Sequence, residues 1–194
     1  HIEKGGTGNP ARDIQDGLRF IYKNSIFSFL IGMTFFNSFF GMAYIMLMPI
    51  FAVDILKVGA DGQGVLLSAG GVGALLATIW LSSIGNSPRK GLMLIGGAIM
   101  FGLSVAIFGI TSKFVGSYVL AAILMFLMGM FGSTYMISIM SSLQLMVPDN
   151  MRGRVMGFYG MTWSIMPLGG MQAGALANLI GAHFAIAIGG IAVA

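Results

Sequence analysis

The chain of 194 residues is 57% hydrophobic and 8% charged, with ten Lys and Arg against six Asp and Glu and no cysteine. A soluble domain carries about 25% charged residues, so most of this exterior faces something other than water. The absence of Cys excludes disulfides, thiolate metal sites and cysteine nucleophiles.

Residues 1–25 are polar and turn-rich, with Gly5-Gly6-Thr7-Gly8-Asn9-Pro10 near their start. They read as a cytoplasmic connecting segment and do not resemble a secretory signal peptide. A six-helix transmembrane half-domain is expected over 26–194, in apolar runs at about 26–53, 65–84, 92–111, 114–147, 155–177 and 182–194. About 20 helical residues cross a ~30 Å hydrocarbon core, which the first five runs satisfy. The sixth run stops at Ala194, so both ends are expected to be internal to a longer protein.

Eight of the ten Lys and Arg fall before the first run or in the second-to-third and fourth-to-fifth loops. Lys57 and Lys113 fall on the other side. That imbalance predicts a cytoplasmic N-terminal segment in a multi-pass protein of the cell membrane. The scattered positive charge suits contact with membrane lipid; no basic cluster with interleaved aromatics indicates nucleic acid.

In the first run Thr34, Asn37, Gly41, Tyr44 and Met48 share one helical stripe. Asn37 either bonds a neighbouring helix or contacts substrate. The second run carries Gly64, Ser68, Gly71, Thr78 and Ser82 on one face, and Gly70, Ala74 and Ala77 on a face that reads as packing. The third has only Ser104 as an interior polar residue and is expected to face lipid. The fourth offers Thr134, Tyr135, Ser138, Ser141 and Ser142. Such hydroxyls either line a pathway or bond the carbonyl one turn back.

In the fifth run Pro167 precedes Gly169, Gly170 and Gly174, with Trp163 one turn before it. Proline kinks the helix, as a gating bend or a static one, and Gly170 with Gly174 forms a small-xxx-small pair. The first, second, fourth and fifth helices are therefore expected around a central surface, the third and sixth outside.

Phe40-Gly41-Met42-Ala43-Tyr44 matches Phe131-Gly132-Ser133-Thr134-Tyr135, and Gly64-Val65 with Gly70 matches Arg154-Val155 with Gly160 at nearly the same offset. An odd number of crossings separates the copies, which predicts a three-plus-three inverted repeat. No Asp, Glu, Lys or Arg lies inside any of the six runs, so recognition falls to neutral polar groups. Neither His1 nor His183 has a second His or a carboxylate beside it in sequence, and no nucleophile, acid–base pair, metal set or cofactor motif is visible. An enzyme is the least expected class.

Two loops carry a family signal. Gly85-Asn86-Ser87-Pro88-Arg89-Lys90-Gly91 resembles the Gly-rich basic loop of the major facilitator superfamily, with Asn86 where an acidic residue is usual. Val147-Pro148-Asp149-Asn150-Met151-Arg152-Gly153-Arg154-Val155-Met156, continued by Pro167-Leu168-Gly169 and Gly174, resembles the drug and siderophore exporter branch, which includes the enterobactin exporter and macrolide efflux proteins. Asp13 to Phe20 is similar to the segment before the seventh helix there.

The resemblance implies helices seven to twelve of a twelve-helix all-α fold. It further implies a proton-coupled antiporter exporting amphipathic small molecules by alternating access, with the N-terminal half as partner. An uptake permease of the same fold or a non-transporting scaffold or receptor are the rival readings. Candidate pathway residues are Thr34, Asn37, Tyr44, Ser68, Thr134, Tyr135, Ser138, Ser141 and Trp163. Candidate gating residues are Gly85, Arg89, Lys90, Asp149, Arg152, Gly153 and Arg154; kink and packing residues are Gly70, Gly132, Pro167, Gly170 and Gly174. Asp149 is placed to cap the fifth helix, and Arg152 and Arg154 either latch the inward side or only mark topology.

Overall fold

The computed structural model describes residues 10–85 and 90–194. An amphipathic helix α1 (Pro10–Lys23) leads into a first span built from α2 (Ser25–Phe36), a π turn (Asn37–Gly41), α3 (Ala43–Ile50) and a second π turn (Phe51–Ile55). The second, third and fourth spans are single helices, α4 (Gly59–Ile84), α5 (Lys90–Phe114) and α6 (Tyr118–Met146). The fifth is divided into α7 (Asp149–Trp163) and α8 (Met166–Ile180), and the sixth is α9 (Ala182–Val193). The first four spans are each long and apolar enough to cross a membrane.

Local chemistry explains the breaks. Pro167 is the second residue of α8, where its missing N–H has no helical partner to lose. The chain closes the gap with tight bonds from Ser164 N to the Met161 carbonyl (3.1 Å) and Ile165 N to the Thr162 carbonyl (3.4 Å). In the first span the Met42 N–H donates to the Asn37 carbonyl at 2.9 Å, five residues back, which defines the wide turn. α6 runs unbroken through Gln144, where the polar side chain alone suggests a bend.

The spans pair by a rule. α4 and α5 both pack on α6, α5 packs on α9, and α8 and α9 both pack on the first span. Exchanging first with fourth, second with fifth and third with sixth maps these contacts onto themselves; the α8–α9 contact is the exception, since its counterpart α4–α5 is nearly absent. Three spans separate each pair, so the related copies run in opposite directions: this is the three-plus-three inverted repeat.

Lipid tails are as apolar as Leu, so helices associate where small residues let backbones close. At the α4–α6 crossing a Cβ on Gly129 would collide with the Gly70 carbonyl oxygen. At the α5–α9 crossing a Cβ on Gly102 would lie 2.5 Å from the Gly190 oxygen. The α8 crossing with the first span is made by Gly169, where a Cβ would meet the Phe39 carbonyl, and Ala173 is buried one turn on. Close backbone contact thus falls on Gly169 and Ala173; Gly170 meets only the Met46 side chain, and Gly174 meets nothing within 4 Å.

Within this chain the third span is more enclosed than its low polar content suggests. Of the four long spans α5 is the most enclosed, with 56% of its apolar window buried against 17% for α4. Phe101, 2% exposed, lies against both Gly41 and Gly132, the two glycines that the sequence repeat equates. Its ring also meets Tyr44 edge to face at 6.3 Å. Lipid contact is left to one strip that includes Leu103, Ile107 and Ile110. Polar content misleads here because the close backbone contacts of α5 are made at Gly97, Gly102 and Gly109, while the buried Ser104 and Ser112 bond carbonyls of their own helix.

Candidate functional site

The wide turn at Asn37–Gly41 holds two consecutive polar residues, Asn37 and Ser38, inside the bundle. Asn37 is 2% exposed and Ser38 is fully buried. Among the described residues neither Asn37 Oδ1 nor Ser38 Oγ has a hydrogen-bond partner. From α6 the Tyr135 hydroxyl is also enclosed. It lies beside the Thr34 hydroxyl, which itself donates to the Leu30 carbonyl at 2.9 Å.

Asn37 and Tyr135 share the wall of a cavity of about 320 Å³ with Met33, Phe36, Ala98 and Val193. An unpaired buried polar group costs about 1–3 kcal/mol, so each is a place where a ligand's donor or acceptor lowers the energy. The arrangement offers neutral hydrogen bonding within an aromatic and thioether lining. That suits a molecule with an apolar body and few polar groups.

The remaining pathway candidates sit elsewhere. Thr134 is buried and donates to the Met130 carbonyl at 2.8 Å, while Ser68 is exposed on α4 and donates to the Gly64 carbonyl at 2.8 Å. Thr78 and Ser82, on the same exposed face, bond one turn back in the same way. Tyr44 is half-buried against Phe101, and Trp163 meets Tyr159 edge to face at 6.5 Å. Ser138 and Ser141 belong to a second cavity, nearer the C-terminal end of α6. Ser38 is not in the sequence-derived set; its only signal is a polar residue next to Asn37, one step off the helical stripe.

On the loop side, Asp149 is the first residue of α7, with Pro148 in the capping position. Its carboxylate makes no cap and instead pairs with Arg152 at 2.8 Å. Arg152 also donates to the Gln144 carbonyl at 3.3 Å. Arg154 faces α1: its guanidinium lies 3.7 Å from Asp16, and Gly17 sits against Phe158 and the Arg154 side chain. Gly153 is exposed with open space around it. Gly85 ends α4 at φ +62°, a conformation that favours glycine. Arg89 lies outside the described residues. Among the described residues no group of three or more His, Cys, Asp or Glu assembles that could hold a metal ion.

Searches of curated proteins and of solved structures return no match. The Major Facilitator Superfamily model matches residues 4–194. With nearly the whole chain matched and its six spans paired as an inverted repeat, the protein belongs to the major facilitator superfamily, a family of transporters.

Proposed function

We propose that the chain is the C-terminal, six-span half of a twelve-span exporter of amphipathic small molecules, working by alternating access and driven by protons. The observation that carries this reading is the pair of buried polar atoms, Asn37 Oδ1 and Ser38 Oγ, without partners among the described residues, with Asn37 and the Tyr135 hydroxyl on one largely apolar cavity. Neutral polar groups in a cavity wall with no charged side chain among its described residues favour an amphipathic cargo over a small ion. The exposed face of α4, Gly64, Ser68, Gly71 and Thr78, supports a second half as neighbour. Outward direction rests on the likeness of Val147–Met156 to the exporter branch, and proton coupling is assigned to the other half. The Asp16–Arg154 contact ties the connecting helix to the fifth span on the side that would close inward.

The test is reconstitution of the intact transporter in vesicles with an imposed pH gradient, following a fluorescent amphipathic cation. Asn37→Ala is expected to lower the rate about tenfold, the scale of one lost hydrogen bond to substrate, with insertion and yield unchanged. Equal rates would remove Asn37 from the pathway, net uptake would favour the permease reading, and rates blind to the gradient would remove proton coupling.

A further inference from the structure

Although consecutive in sequence, α4 and α5 barely touch; both lie on α6, and a cleft separates them between residues 76–84 of α4 and 90–100 of α5. Two adjoining cavities fill this cleft. The one near the Gly85–Lys90 loop, about 230 Å³, is walled by Thr78, Ser82, Lys90, Ser138 and Ser141. Lys90 Nζ donates to Ser141 Oγ at 2.9 Å, and among the described residues no carboxylate pairs with it. Ser138, only 3% exposed, lines the same cavity and makes no hydrogen bond to any described residue.

The second cavity, about 490 Å³, lies deeper between the same three helices and shares Met93 with the first. Its lining is apolar, with Leu76, Trp80, Gly96, Met100 and Phe131. From Lys90 to Met100 a helix rises about 15 Å, half of a ~30 Å hydrocarbon core. A cation with two hydroxyls at one end and a leaflet-deep apolar trough at the other match an anionic head joined to an acyl tail.

We propose that this cleft is a phospholipid site, taking an anionic glycerophospholipid from the leaflet on the same side as α1. The head phosphate sits on Lys90, Ser138 and Ser141, and one acyl chain lies along Gly96 and Met100. Gly96 is the position that tests the tail, because a Cβ there meets nothing within 4 Å and a larger side chain fills the trough without touching backbone.

The experiment is native mass spectrometry of the detergent-solubilised protein with dioleoyl phosphatidylglycerol or dioleoyl phosphatidylcholine. The protein should retain phosphatidylglycerol preferentially. Lys90→Gln should abolish that preference, about a tenfold loss for one charged contact, while Lys90→Arg keeps it and Lys113→Gln at the far end of α5 changes nothing. Gly96→Leu should lower retention of both lipids at unchanged thermal stability. Undiminished preference in Lys90→Gln would overturn the site. Displacement of phosphatidylglycerol by inorganic phosphate, with Gly96→Leu binding normally, would make it a free-anion pocket and overturn the lipid assignment.

Discussion

The second and third spans have similar apolar character, 1.8 and 2.2 in mean hydropathy, yet one is 17% buried and the other 56%. α4 leaves its hydroxyls Ser68, Thr78, Ser82 and Ser83 on its surface; α5 buries Ser104 and Ser112 and is held on two sides by α6 and α9. In lipid an isolated hydroxyl satisfies itself on the carbonyl one turn back, as Ser68, Thr78 and Ser82 all do. It therefore exerts little pull on a neighbouring helix. Glycine attracts by shape, since two backbones gain dispersion contacts only where nothing stands between them.

This contrast can be broken most directly at Phe101, whose ring fills the space between Gly41 and Gly132. Phe101→Ala is expected to cost about 3–5 kcal/mol, read as a lowered midpoint in thermal or denaturant unfolding in detergent. An effect below about 1 kcal/mol would mean that the third span is peripheral after all. Gly102→Val comes next. Its branches would enter the Gly190 backbone, and a loss of about 1–3 kcal/mol is expected from overpacking. The smallest effect belongs to the outward face of α4, where a Cβ at Gly71 meets nothing within 4 Å. Gly71→Ala should stay within about 0.5 kcal/mol in the isolated chain. A large loss there would show that α4 is covered by a neighbour even in detergent.

The sequence carried the fold class, because charge-free runs and small-residue spacing are direct readouts of lipid as solvent. The near-equal offsets linking Phe40–Tyr44 to Phe131–Tyr135 reflect a physical equivalence: Gly41 and Gly132 meet the same ring. Gly70 and Ala77 were legible as packing because both lie on the α4 face turned to α6, Gly70 against Gly129 and Ala77 at 1% exposure. Two things were not legible. The buried side of α5 carries Ser104 and Ser112, but each hydroxyl bonds the carbonyl one turn back, so its packing against α6 and α9 could not be read from polarity. Ser38 was hidden because a stripe drawn at 3.6 residues per turn assumes a uniform helix, and the wide turn at Asn37–Gly41 changes the step where the polar cluster forms. The cleft between α4 and α5 was equally hidden, since it depends on which helices fail to meet.

The wide turn has one more consequence, for comparison among related chains. It holds one residue more than an α-helical turn of the same rise, and the helix resumes at Ala43. Insertions and deletions are ordinarily tolerated in loops. Here the middle of a membrane helix is expected to tolerate one as well: a chain lacking one residue between Asn37 and Gly41 can close the turn to a regular one and keep both flanking faces where they are.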